Sequence, residues 1–114
     1  MGGIYKIEHI SGKYYIGMSV DIFGRWGSHY SSIRKGGHSS PLFQDLFLSS
    51  QPHHWTFSIL EYVSISEFKK SFEGTKKQCD AEFKKWLLQR EKYWMGLHRK
   101  ADALNANVRY FAEL

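Results

Sequence analysis

The sequence predicts a single small α+β domain, and three patterns carry that prediction. They are an alternating hairpin at the N-terminus, a third alternating segment at His53 to Val63, and helical periodicity from Asp21 to Lys35 and from Gln78 to Arg99. A chain of 114 residues has room for one modest core and no second module.

Lys6 to Tyr14 alternates as a strand does and breaks at Ile10-Ser11-Gly12, where Gly12 can take the left-handed conformation that closes a three-residue loop. That loop pairs His9 with Lys13, Ile7 with Tyr15 and Tyr5 with Gly17. Tyr5, Ile7, Lys13, Tyr15 and Gly17 therefore share one face. Tyr5 faces a residue with no side chain, and the space left by Gly17 is expected to admit a backbone phosphate among two phenols and the Lys13 ammonium.

Asp21 caps the first helix, whose apolar stripe is Ile22, Trp26, Tyr30 and Ile33. Arg25 and His29 lie beside that stripe, stacked by their i, i+4 spacing. They read as surface groups flanking a core, or as groups placed to approach the tyrosine face. Gly36-Gly37-His38-Ser39-Ser40-Pro41 ends this helix and starts another, with Ser40 as cap and Pro41 opening a short apolar helix to Leu48. Its backbone N–H groups are also able to touch phosphate.

Gln51-Pro52 turns the chain into the third strand. Trp55, Phe57, Ile59 and Glu61 alternate with Thr56, Ser58, Leu60 and Tyr62, which suggests a sheet with more than one covered face. His53 and His54 raise a zinc site. Neighbouring strand residues point apart, however, and no Cys/His pair stands at zinc spacing, so a structural zinc is not expected. A short helix follows from Ser66 to about Phe72, then a solvated interruption at Glu73 to Lys77. The long last helix buries Phe83, Trp86, Leu87, Tyr93, Trp94 and Leu97. Glu91 borders that apolar stripe, where it either pairs with a neighbouring cation or holds a ligand.

Composition bounds the partners. Sixteen Lys and Arg against eleven Asp and Glu give a net charge of +5 and a pI near 9.4, which favours a polyanion. The aromatic fraction of 17% suits a compact core first and nucleobase contacts second. Cys79 is the lone cysteine, which excludes an intramolecular disulfide framework and fits a reducing compartment. The N-terminus enters a strand too early for a secretory signal, and Lys6 stands where a myristoylation motif wants Ser or Thr. There is no bilayer-spanning apolar run, internal repeat or Pro/Ser-rich linker. The expectation is a cytoplasmic protein with no membrane partner.

Gly3-Ile4-Tyr5 and Tyr15-Ile16-Gly17, one hairpin apart, resemble the signature of the GIY-YIG endonuclease family. The resemblance continues to about Asn105. Arg25-Trp26-Gly27-Ser28-His29 is similar to the family's first-helix segment, in which the Arg and the residue four further on are catalytic. Arg90-Glu91-Lys92-Tyr93-Trp94 resembles the segment holding its single metal-binding glutamate. Asn105 fits the Asn that follows that helix better than Asn107 does. The loop from Gly36 to Ser40 is similar to that of phage intron-homing members, which makes His38 and Ser39 candidate DNA contacts with Lys13.

The resemblance implies a three-stranded antiparallel sheet flanked by helices and metal-dependent hydrolysis of double-stranded DNA. It implies a site of Tyr5, Tyr15, Arg25, His29, Glu91 and Asn105, with Glu91 holding one Mg²⁺ or Mn²⁺. Arg25 is expected to grip the phosphate, the metal to stabilise the leaving 3′-oxygen, and Asn105 to tie a loop to the site floor. Tyr5 is the preferred general base or water-positioning group. An unperturbed phenol is only about one part in a thousand ionised at neutral pH, so nearby cations must lower its pKa. Tyr15 or His29 are the alternatives for relaying or accepting the proton. Homing, restriction and repair roles remain open, as does a non-catalytic nucleic-acid-binding module or a protein-interaction domain with a basic surface. Homing members usually join this domain to a separate DNA-reading region, so a separate targeting domain or chain is an expected partner.

Overall fold

The computed structural model describes residues 2–70 and 72–113. At its centre stand β1 (Gly2–His9), β2 (Tyr14–Ser19) and β3 (Trp55–Val63), an antiparallel sheet in the order β2-β1-β3. The hairpin has the register its loop demands. Tyr5 stands opposite Gly17 and Ile7 opposite Tyr15, and the His9 N–H donates to the Lys13 carbonyl at 2.8 Å. Gly12 closes the loop at φ +94°, a conformation that a Cβ would strain.

Alternation along β1 divides the core in two. Tyr5 and Ile7 turn to one face, packed with Ile22 and Ile33 of α1 (Ile22–Arg34), Phe43 of α2 (Pro41–Leu48), Trp55 and Leu104. Ile4 turns to the other with Ile16, and Phe83, Leu87 and Met95 of α4 (Lys76–Gly96) cover them. A short α3 (Ile65–Lys70) packs against α4. No helix among the described residues is long and apolar enough to cross a membrane.

The caps explain where the helices begin and end. The Asp21 carboxylate accepts from the Gly24 N–H at the start of α1. At its end Gly36 takes φ +74°, and the Gly36 and Gly37 N–H groups donate to the Ile33 and Ser32 carbonyls, a Schellman closure. Ser40 caps α2 with Pro41 in its first turn. Thr75 and Gln78 form a reciprocal capping box, so α4 starts at Lys76, two residues before the expected Gln78.

Three expectations change in the fold. First, α4 stops at Gly96 and not near Arg99, because Ala112 exchanges hydrogen bonds with His98 and Lys100 and draws that stretch out of the helix. Leu97, past the helix end, is exposed; so is Tyr93 within α4, while Cys79 and Met95 join the buried stripe. Second, β3 begins at Trp55. His53 and His54 form a 3-10 turn with Pro52, their rings edge-on at 4.4 Å. Third, the β1–β3 register shifts by one residue, from Tyr5↔Ile59 to Ile4↔Glu61. That bulge moves Glu61 off the face of Trp55, Phe57 and Ile59 and onto the α4 face, since a one-residue slip reverses every later side chain. There its carboxylate accepts from Arg90 Nε and Trp94 Nε1, each at 2.8 Å. The other edge of β3 is open, with Phe57, Ile59 and Tyr62 exposed. The helix expected over Ser66 to Phe72 spans Ile65–Lys70, and Ser71 lies outside the described residues.

Candidate active site

The site forms where the hairpin meets α1. Tyr5 is only 1% exposed, and its hydroxyl fills the space above Gly17, where a Cβ would overlap it. The gap opposite Gly17 thus seats the phenol itself and does not admit a phosphate. Gly17 is required because its partner strand presents a full tyrosine at closest approach.

The α1 stripe facing the sheet also differs from expectation. Its buried residues are Ile22, His29 and Ile33, while Tyr30 is 53% exposed. An imidazole can occupy a core position when both ring nitrogens are hydrogen-bonded. His29 Nε2 lies 2.6 Å from the Tyr5 hydroxyl and Nδ1 lies 2.7 Å from His38 Nε2. The Tyr15 ring packs edge-on against His29 at 4.9 Å. One turn earlier on α1, Arg25 sits at the rim and acts on both phenols. Burial raises the pKa of Tyr5 and of Tyr15 above the usual phenol value, and the Arg25 guanidinium opposes that rise at both.

The outer edge of β2 positions the rest of the site. An edge strand must satisfy alternate N–H and C=O groups without a neighbouring strand. Here the Tyr14 carbonyl accepts from the Leu104 N–H at 2.7 Å. The Asn105 amide then spans Ile16, accepting from its N–H at 3.0 Å and donating to its carbonyl at 2.6 Å. Beyond it Glu91 of α4 lies near the Met18 backbone amide, which favours the charged carboxylate. Side chains from α4 and the C-terminal segment therefore finish the sheet. In doing so they line a cleft of about 360 Å³ with Tyr15, Ser39 and Lys92. A second recess, walled by Arg25, His29, His38 and Ser39, adjoins it through Ser39.

Burial opposes ionisation in this cleft. It raises the Glu91 pKa from 4.5 to about 7, against the opposing Met18 N–H, Arg25 and Lys92. Glu91 makes no ion pair among the described residues. A partly desolvated carboxylate without a counter-ion, at the wall of a cleft roomy enough for an ion and its waters, fits a hard divalent cation. Such a cation keeps several waters and needs only one or two carboxylates. No group of three His, Cys, Asp or Glu side chains assembles among the described residues, so Glu91 is the anionic ligand available here. Burial also lowers His29, to about 3, and His38 to a lesser extent, so both rings are neutral at physiological pH.

Tyr15, Arg25, His29, Glu91 and Asn105 line two adjoining cavities, and Tyr5 lies sealed behind them against His29. The proposed DNA contacts divide. Ser39 is exposed on the shared wall. Lys13 is exposed at the hairpin turn and lines neither cavity. His38 turns inward, with both ring nitrogens engaged by His29 and the Ser40 N–H. Sequence reasoning missed Gln44, whose carbonyl accepts from the His38 N–H at 2.9 Å, and Lys92, which lies over the Tyr110 ring at 4.6 Å. Lys92 adjoins Glu91 in sequence, a signal that was available. Gln44 had none, being a helix residue chosen only by the fold.

The geometry agrees with comparison to known proteins. The GIY-YIG catalytic domain family matches residues 1–105. No curated protein matches by sequence. The catalytic domain of the homing endonuclease I-TevI is similar in structure, with TM-score 0.68 and 27% identity over 94% of this chain and 99% of that one. A glutamate-to-alanine mutant of the catalytic domain of intron endonuclease I-TevI gives TM-score 0.69 and 26% identity, over 97% and 98% of the two chains. From the hairpin that sets Tyr5 against Gly17 to the Asn105 that closes β2, this chain belongs to the GIY-YIG nuclease family.

Proposed function

We propose that this nuclease domain hydrolyses phosphodiester bonds of double-stranded DNA with one divalent cation, Mg²⁺ or Mn²⁺, held by Glu91. The observation that carries this reading is a half-buried carboxylate without an ion-pair partner, Glu91, sharing one cleft wall with the Tyr15 phenol, while the Arg25 guanidinium lines the recess that adjoins it through Ser39. GIY-YIG nucleases are generally dependent on divalent metals. When bound, the cation supplies a Lewis acid that neutralises charge on the leaving 3′-oxygen.

The chain's own groups do the rest. Arg25 stands at the rim, free to hold a non-bridging phosphate oxygen as negative charge develops. Tyr15 lines the cleft with Glu91, whereas Tyr5 is nearly sealed. This favours Tyr15 as the phenol that contacts the attacking water and shifts the preference away from Tyr5. Tyr5 holds the phosphate-binding side of the site together through His29 and Arg25. Asn105 acts through β2, keeping Tyr15 at the cleft wall.

The net charge of +5 supports a polyanionic substrate. Likeness to a homing endonuclease domain supports a homing-type role, with target choice supplied by a separate DNA-reading domain or chain. The reduced, buried Cys79 suits a cytoplasmic setting. The test is cleavage of supercoiled plasmid with Mg²⁺ or with EDTA, beside a folded Glu91→Ala variant. Nicks that require both the metal and Glu91 support the reading. Cleavage that persists in EDTA rejects it.

A further inference from the structure

A chain of four groups runs behind the cleft, and its hydrogen-bond directions are determined at one end. The Ser40 backbone N–H lies 2.9 Å from His38 Nδ1 and can only donate, so Nδ1 carries no proton. A neutral imidazole has one N–H, which in His38 must then be at Nε2. That nitrogen lies 2.7 Å from His29 Nδ1 and donates to it. The same count places the His29 proton at Nε2, 2.6 Å from the Tyr5 hydroxyl oxygen. Every proton in the series points towards the phenol.

We propose that His38 is a positioning residue which, anchored by the Ser40 amide, locks His29 in the tautomer that donates to Tyr5, making His29 a donor to that phenol and never its base. For His29 to accept from Tyr5, its Nδ1 would have to carry the proton. His38 would then face donors at both ring nitrogens while bearing no N–H at all, which a neutral or protonated imidazole cannot do. The surroundings hold the arrangement in place. The His38 ring lies nearly parallel to Phe43 at 5.0 Å and nearly coplanar with His29, as an in-plane N–H···N bond requires, and its backbone N–H is tied to Gln44. The Tyr5 proton is left to leave or arrive only on the side away from His29, next to Arg25 and Tyr15. The consequence for cleavage rests on the nuclease reading above, but the hydrogen-bond direction does not.

Nitrogen-15 NMR of the metal-free protein tests the direction without any cleavage assay. The rings of His29 and His38 are assigned by loss of signal in His29→Gln and His38→Gln. Both should show protonated Nε2 and unprotonated Nδ1. A protonated Nδ1 at either residue overturns the proposal. His38→Phe keeps the stacking ring but removes both nitrogens. It should release His29 into a mixture of tautomers and lower the cleavage rate constant at least about tenfold, as when an orienting partner is lost. DNA affinity should stay within about twofold. His38→Gln, whose amide N–H can stand in for Nε2–H, should keep more of the rate than His38→Phe. If His38→Phe instead weakens DNA binding and reduces its salt dependence with His29 unchanged, His38 is a phosphate contact and the proposal fails.

Discussion

Glu91 should make the metal-free protein less stable than it needs to be. Its carboxyl is raised from 4.5 to about 7 by burial. Between those values the unfolded chain has released the proton that the folded chain still holds, so stability falls as pH rises through this window. Above pH 7 the full cost is present. A shift of that size corresponds to about 3 kcal/mol as an upper bound, and partial solvent access to the cleft reduces it to about 1 to 3 kcal/mol. Glu91→Gln keeps the shape of the side chain and a carbonyl oxygen and removes the charge. Urea unfolding in EDTA at pH 8 should find the variant more stable than the parent by that amount. At pH 4 the Glu91 carboxyl is protonated in the folded state and mostly so in the unfolded one, and the difference should nearly vanish. Adding Mg²⁺ at pH 8 should stabilise the parent and leave the variant unmoved, because binding to the folded state alone adds stability by mass action. A variant less stable at pH 8, or an equal difference at both pH values, would refute the claim that an unpaired carboxylate is desolvated here.

Arg25→Ala should lower the cleavage rate by about 10² to 10³ while leaving the fold intact, as expected for one lost transition-state donor; single-turnover cleavage at saturating protein is the check. Gly17→Ala would force Tyr5 out of its seat, costing about 1 to 3 kcal/mol by overpacking together with most of the activity, read by denaturation and plasmid nicking. Asn105→Asp keeps the acceptor for the Ile16 N–H but sets an oxygen against the Ile16 carbonyl, so chemical unfolding should report a loss of about 1 to 3 kcal/mol. His29 stays neutral in the fold down to about pH 3, whereas the unfolded ring takes up a proton from about 6.5 downwards. Its contribution to stability is therefore lost progressively as pH falls through that interval. His29→Gln should flatten the acid side of the stability curve, and an unchanged slope would show that the ring is not held neutral.

Several elements of this protein could be read directly because their signals are local. The hairpin register follows from a loop of three residues and a period of two, so the opposition of Tyr5 and Gly17 needs nothing beyond residues 3 to 17. The caps at Asp21 and Ser40 are similarly short-range, as is the i, i+4 spacing that puts Arg25 and His29 on one side of α1. Family resemblance then supplied roles for Glu91 and Asn105 that periodicity could not.

The tertiary structure decided whatever depends on what approaches from far along the chain. A bulge between Ile59 and Glu61 leaves no mark in the alternation, yet it sends Glu61 to the other face of the sheet. The space at Gly17 had two possible occupants, and packing gave it to the Tyr5 hydroxyl. Tyr30 and His29 competed for one core position, which went to the ring whose nitrogens found partners. His38 turned inward for the same reason. The outer edge of β2 drew Asn105 to Ile16 across 89 positions of sequence, and the packing of α4 on the sheet set Glu91 on the same cleft wall. Residue type and spacing determined which groups were available for chemistry. Unsatisfied backbone and buried polar atoms, which must find partners wherever the folded chain provides them, decided where those groups went.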